Sequence, residues 1–249
     1  MQIAVPAGAG PGTVLEVADP GAVVPEANVV GISATGTVSQ VSGMHALGPQ
    51  HMPPGFDMLG STYGVLAKPL APGESFQSEP GAMTFMSNDV KMSAKFGGFF
   101  GTVSTAVSGE ALAKVTYTNE GSDVGYVGMT SNQPFSMVIP VQMGAVNGGV
   151  LNVKRGAYMA GTPDVTAKAK MLPARDCLAC CCGGMPPIIQ EISGAPTGAA
   201  FLAAAGTIVA KSLQPGEAVV VDSTSIVGFE NDVPVSYTHL RAHETEADL

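Results

Sequence analysis

Four cysteines stand within six residues: Cys177, Cys180, Cys181 and Cys182, the full complement of this 249-residue chain. Thiolates at this spacing offer three ligands to a soft metal, but a closed zinc site takes four, usually from two separated pairs. The second pair is absent and adjacent cysteines rarely point at one ion. Loop-packing thiols are the plainer reading; redox, metal or acylation chemistry is the sharper one. Asp89, Asp164 and Asp232 form a second constellation, 75 and 68 residues apart, each at the end of an apolar run and each followed by valine. Brought to one axis, three carboxylates would hold a hard cation; left in three separate turns, each would cap its own backbone. Glu74 and Glu217 follow Pro-Gly in matching places and read as the first solvent-facing residues of strands. His45, His51, His239 and His243 are the four histidines, and none lies between Gly55 and Val235. That interval therefore lacks the histidine cluster of a cupin-like metal centre and the base of a Ser-His or Cys-His pair. Acid–base work would fall to carboxylates or lysines. No catalytic residue and no cofactor is assigned, and an enzyme working with carboxylates alone is the least supported class.

The elements that position these residues are copied along the chain. Gly81–Val90 (GAMTFMSNDV), Gly156–Val165 (GAYMAGTPDV) and Ser223–Val233 (STSIVGFENDV) end alike, and Leu70-Ala-Pro-Gly-Glu74 matches Leu213-Gln-Pro-Gly-Glu217. An internal repeat of this length marks one supersecondary unit used several times. Units are expected over about 55–130, 131–206 and 207–235. Strands are predicted at 63–68, 75–78, 82–86, 111–118 and 124–129 in the first unit, the last two as a hairpin about Asn119-Glu-Gly121. The second unit repeats this with 150–153, 188–192 and 199–203, and the third offers 218–222 and 226–229. Its closing hairpin is missing, so an unpaired strand edge and part of an apolar face are expected there. The fold class is all-β, a β-sandwich or jelly-roll-like arrangement of three similar units about a pseudo-threefold axis, the third truncated.

Between Asp-Val and the hairpin, the first two units carry Gly-flanked apolar inserts. The first holds Phe96, Phe99, Phe100, Val103 and Val107, of which the last four share a face at helical spacing; the second holds the cysteines. Large apolar side chains among glycines are costly to leave in water. They are interface candidates, packing on the domain or a sister subunit, or meeting a partner protein or membrane surface. Residues 1–54 are Gly/Pro/Ala-rich, with a turn and then a strand at 13–17, and read as a linker or a small β appendage.

Composition agrees with many short strands: charged residues are 12 %, hydrophobic ones 45 %, with 32 Gly and 19 Pro. The net charge of −9, with no Lys or Arg before Lys68, leaves no basic stripe to neutralise phosphates, so no nucleic-acid partner is expected. The same absence removes the basic region of a secretory signal and the arginines of a mitochondrial transit peptide. No apolar run reaches the ~18 residues of a spanning helix. Clustered cysteines fit reduced thiols rather than a disulfide framework. A soluble intracellular protein is the expectation.

The stretch Leu70-Ala-Pro-Gly-Glu-Ser-Phe-Gln-Ser-Glu-Pro-Gly-Ala-Met-Thr-Phe-Met86 resembles a signature of the altered inheritance of mitochondria protein 24 family, in bacteria a tryptophan-RNA-binding-attenuator-like family. Gly97-Gly98, Gly109-Glu110, Arg155-Gly-Ala157, Gly183-Gly184, Phe201-Leu-Ala-Ala-Ala-Gly206 and Leu213–Glu217 are similar too, so the resemblance spans about Phe56 to Val233. It implies a sandwich or jelly-roll of three units, homotrimers, and an association with mitochondria and inner-membrane organisation. The location is then the mitochondrion, or the cytoplasm if a transit peptide is truly lacking. It implies no catalytic residues, and points to a non-enzymatic scaffold or assembly protein; a small-ligand or metal-binding module is the alternative. Two features depart from the family pattern: the cysteines in the second insert, and the chain after Val233. Pro234 to Thr245 resembles a translated sequencing-adapter tail, so 236–249 is expected to be non-native.

Overall fold

The computed structural model describes residues 11–16, 44–47, 52–60, 63–95, 114–133, 135–171 and 188–239. The cysteine cluster and the Phe96–Val107 insert lie outside these residues.

Each repeated motif is a turn. Val90 N, Val165 N and Val233 N donate to Ser87 O, Thr162 O and Glu230 O at 3.1, 3.0 and 3.1 Å, so every Asp-Val ending closes a four-residue β-turn. The valines are 1 %, 1 % and 3 % exposed, anchors at the floor of their turns, while the three aspartates are solvent-exposed. Pro-Gly-Glu closes the same way, Glu74 N on Ala71 O at 2.9 Å and Glu217 N on Gln214 O at 2.9 Å. Ala82 N and Ala157 N donate back to Glu79 O and Lys154 O at 3.4 and 3.0 Å. Gly81 and Gly156 occupy the third position there with φ of 88° and 80°, the left-handed backbone that selects glycine in a type II turn.

Between these turns run short strands. The first segment holds β3 (Asp57–Leu59), β4 (Val65–Leu70), β5 (Ser75–Ser78), β6 (Met83–Met86), β7 (Val90–Lys95), β8 (Lys114–Asn119) and β9 (Gly125–Met129). The second holds β10 (Ser136–Gln142), β11 (Val150–Val153), β12 (Tyr158–Gly161), β13 (Val165–Met171), β14 (Ile188–Gly194) and β15 (Ala199–Ala205). The third holds β16 (Ile208–Lys211), β17 (Ala218–Val221), β18 (Gly228–Glu230) and β19 (Val235–His239), and β1 (Pro11–Glu16) and β2 (Met44–Leu47) come from the N-terminal segment. The only helical pieces among the described residues are three 3-10 turns of three residues each.

All pairings are antiparallel and follow one scheme. β8 lies between β5 and β7, and β14 lies between β11 and β13. β9 joins β4 to β6 as β15 joins β10 to β12, with a register shift after Met83 in one case and after Tyr158 in the other, two residues beyond the turn glycine each time. Neighbouring segments are sewn by β5 with β12 and β11 with β18; among the described strands no pairing joins the third segment to the first.

Four sheets therefore stack in series. The sheet β3-β4-β9-β6 packs on the six-stranded sheet β10-β15-β12-β5-β8-β7 through Leu66, Leu70, Phe76, Tyr117, Val127, Met129 and Phe201. The six-stranded sheet packs its other face on β13-β14-β11-β18 through Ile139, Val141, Leu151, Val153, Ile192 and Leu202. That sheet meets β17-β1-β19 where partly buried Val219, Val221 and Val235 pack against Ile189, Phe229 and the loop residues Leu213, Ile226 and Val233. β15 runs through the middle of the stack. Phe201 joins one core and Leu202 the next, so six of its seven residues are buried.

The expected open edge in the third segment is corrected by the pairing. β1 lies between β17 and β19, as β8 and β14 lie between their neighbours, and β2 pairs with β16. The N-terminal segment supplies backbone hydrogen-bonding groups that the turn-linked strands β8 and β9, and β14 and β15, supply elsewhere; each of those pairs is divided between two sheets rather than forming the predicted hairpin.

Candidate functional site: an apolar sheet face

The outer face of β3-β4-β9-β6 follows from strand alternation. In β9, Gly125, Val127 and Met129 are buried inward, and Tyr126 is 51 % exposed. Register places Pro69 beside Tyr126, Ala67 beside Gly128, and Asp57 and Leu59 beside Ala67 and Val65. Phe85 lies opposite Gly128, and its ring covers that glycine so closely that an added Cβ would sit 2.4 Å from it. The ring meets Tyr126 edge-on, centroids 6.1 Å apart. Leu59 is 50 % exposed and Phe85 36 %. Asp57 is the one ionised side chain at these register positions, so the face is flat, aromatic and nearly uncharged. A second exposed aromatic pair, Tyr63 and Phe135, meets edge-on with centroids 5.8 Å apart just before β4 and β10 begin.

Lys68, which alternation turns inward from this sheet, lies over the Phe56 ring at 5.1 Å and pairs with Glu74 at 2.7 Å. Lys211 pairs with Glu217 at 2.5 Å in the same way. Each glutamate also accepts the first N–H of its own turn, from Ala71 and Gln214. Partial burial raises both carboxyls, but the lysine hydrogen bond, the turn N–H and the lysine charge outweigh it and hold them below the ordinary value. The matching glutamates thus tie down their turns. Sequence reasoning missed their lysines, although a Lys stands six residues before each glutamate.

A buried polar knot joins the first two segments. Glu79 Oε1 accepts from Gln190 Nε2 at 2.6 Å, and Gln190 Oε1 accepts from Gly156 N and Tyr158 N at 3.1 and 3.2 Å. Burial pushes the Glu79 carboxyl up against the opposing Gln190 hydrogen bond and Arg155 charge. Burial, reinforced by Glu79, also raises the Tyr158 hydroxyl well above its usual range. Neither Glu79 nor Gln190 carries a sequence signal, because their partners are 111 residues apart.

A cavity of about 770 Å³ lies between the second and third segments. Leu47, Leu151, Leu202, Ile208, Val219 and Phe229 line its apolar part, with Lys154, Arg155, Lys211 and Glu230 as the ionisable lining residues.

Asp89, Asp164 and Asp232 are not brought together. Asp164 accepts from Thr162 Oγ1 within its own turn, and Asp232 accepts from Asn147 Nδ2 of the second segment. No group of three His, Cys, Asp or Glu side chains among the described residues is placed to hold a metal ion. Cys177, Cys180, Cys181 and Cys182, and Phe96, Phe99, Phe100, Val103 and Val107, lie outside the described residues. Among the described residues no helix is long and apolar enough to cross a membrane.

An all-β chain of stacked antiparallel sheets with an exposed aromatic face, and turns set by repeated Pro-Gly-Glu, Gly-Ala and Asp-Val, defines the class of protein. The model of the mitochondrial biogenesis AIM24 family matches residues 56–245, and the chain belongs to that family. The match extends beyond Val235 into the segment expected to be non-native, and begins after β1 and β2. A protein of Streptococcus pyogenes solved by X-ray crystallography is similar at 17 % identity and a TM-score of 0.45, the alignment covering 61 % of this chain and 64 % of that one. No curated protein matches the chain.

Proposed function

We propose that this protein is a non-enzymatic assembly module of the mitochondrial-biogenesis type that associates with further copies of itself through the outer face of β3-β4-β9-β6. The observation that carries this reading is the Leu59–Phe85–Tyr126 face. An apolar sheet surface rimmed by polar loops is a usual place for protein contact, and exposed aromatic side chains supply most of the energy at interface centres. Net charge of −9 opposes association at a distance, so a face with one carboxylate is where two copies approach at least electrostatic cost. The family resemblance favours three copies, and the family assignment favours a mitochondrial setting. Sedimentation velocity of the full chain at tens of micromolar is expected to give an oligomer, and Tyr126→Lys with Phe85→Lys to give a folded monomer. A wild-type monomer, or an oligomer unchanged by both substitutions, removes the reading.

The cavity beside Phe229 favours a second reading, a module for small apolar ligands, since its volume falls in the range that holds drug-sized molecules. Ligand-dependent stabilisation by an apolar fluorescent probe, abolished by Ala204→Phe at the cavity wall, supports it; no stabilisation removes it.

A further inference from the structure

The strand slot between β17 and β19 is filled differently from its two counterparts. β8 and β14 are each tied to the next strand by a short turn, 120–124 and 195–198, and each drives large side chains into a core. Tyr117 and Val115 of β8 are 1 % and 6 % exposed, and Ile189 and Ile192 of β14 are 1 % and 0 %. β1 pairs with both neighbours, Val14 with Val220 on one side and Leu15 with Val235 on the other. It is joined to β2 by residues 17–43, a link of 27 residues. It also comes from outside the family match, which starts at Phe56.

We infer that the β17 edge of this slot is a strand-accepting interaction site, and that residues 11–16 of one copy pair with β17 of a second copy. Three observations argue for that occupant. The slot accepts this segment by backbone ladders, so a second copy offers an identical ligand with an identical register. The link reaches on the order of 90 Å when extended, enough to leave one molecule while β2 stays paired with β16. A tether of this length holds β1 near its own slot at an effective concentration of only about millimolar or less, a level that other copies match in a concentrated or assembled state. Exchange of an identical element is a low-cost route between monomer and oligomer, and addition of an extended strand to open edges is an established mode of recognition. The site is separate from the sheet face and does not depend on it.

The test uses full-length chains in which Cys177, Cys180, Cys181 and Cys182 are replaced by serine. One chain carries Val14→Cys and the other, of different tag mass, Val220→Cys; Thr13→Cys with Val221→Cys forms a second set. Adjacent antiparallel pairs alternate between narrow and wide, so one of the two sets stands at disulfide distance. The chains are mixed at roughly 0.5 mM, near the tether's effective concentration, and oxidised with copper phenanthroline. Expected is a disulfide-linked heterodimer, several-fold above a mismatched control of Val14→Cys with Val219→Cys, and falling on dilution. Yield no greater than the mismatched control overturns the inference, as does closure of the doubly substituted chain only within itself at every concentration. Retention of the heterodimer in a Tyr126→Lys, Phe85→Lys background separates strand exchange from association through the sheet face.

Discussion

The first and third segments use the same turns and the same pairing scheme but end in different cores. In the first, Phe76 is fully buried against Phe56 and Phe201, with ring centroids 5.5 and 6.0 Å apart, and β8 and β9, joined by one short turn, enclose it from two facing sheets. In the third, Val219 and Val221 are only partly buried, Val220 is 67 % exposed, and a cavity of about 770 Å³ stands beside Phe229. The difference lies in how the central strands arrive. A five-residue turn brings two strands and their side chains at once, one to each facing sheet. Two strands drawn from separate places in an N-terminal segment restore ladder hydrogen bonds without closing the core. Satisfying the backbone and filling the interior are separate requirements, and the third segment meets the first more fully than the second.

The sharpest way to break the comparison is to truncate one aromatic in each core. Phe76→Ala is expected to cost ~3–5 kcal/mol in denaturant unfolding, the range for a close-packed phenylalanine. Phe229→Ala removes the same atoms beside an existing cavity, and is expected to cost roughly 2 kcal/mol, because the cost depends on how well the site was packed. Equal losses contradict the distinction.

Next in size is Asn119, fully buried at the end of β8. Its Nδ2 donates to Leu70 O and Asp123 O at 2.9 and 2.7 Å, and its Oδ1 accepts from Gly121 N at 3.0 Å, so one side chain fastens the β8–β9 turn to β4. Asn119→Ala strands a buried carbonyl, and is expected to cost about 1–3 kcal/mol. A loss below ~0.5 kcal/mol would show the turn to be held by other contacts.

Two glutamates give opposite pH signatures. Burial raises Glu79 above the ordinary 4.5, so the folded state holds its proton more tightly than the unfolded chain. Its contribution is present below that pH and declines as pH rises through the window up to the raised folded value. Glu79→Gln is expected to flatten this decline. Glu74 is held below 4.5 despite partial burial, through its Lys68 hydrogen bond, the Ala71 N–H and the Lys68 charge. Its contribution is present above 4.5 and is lost as pH falls. The Glu74 carboxylate is partly exposed, so Glu74→Gln is expected to change stability by less than ~1 kcal/mol. Unfolding curves at several pH values between acid and neutral separate the two; slopes of the same sign would contradict both assignments.

What sequence alone made legible is the local chemistry of turns. Ser75–Ser78 and Val150–Val153 are strands as predicted, but the predicted hairpins do not form: β8 and β9, and β14 and β15, are joined by short turns yet pair in different sheets, because each turn carries the chain from one layer to the next. β7 escaped because it is a solvated edge strand: after Val90 all five residues are exposed and two are lysines, which protect the edge without alternation. β10 escaped because Pro140 argues against a strand, yet it lies at the edge of its sheet, where proline is tolerated. β15 extends two alanines beyond its predicted end, against their helical preference, since small side chains fit a strand with a sheet on either face. The strand predicted at 13–17 forms as β1, but its place between β17 and β19 was not legible, because those partners lie about two hundred residues away and only register defines them. Of the candidate sites, the aspartate turns were readable as turns. The outer sheet face was not read, because its exposure depends on which face of β9 the six-stranded sheet covers.

The central claim is that the third segment is held by a strand arriving from a distance and opens before the first. Hydrogen exchange of the full chain, read amide by amide under native conditions, tests it most directly. Amides of β5, β8 and β9 are expected to exchange only with global unfolding, and those of β1, β17 and β19 through a smaller opening that leaves the first segment intact. Equal protection across both segments, with one common unfolding free energy, would contradict it.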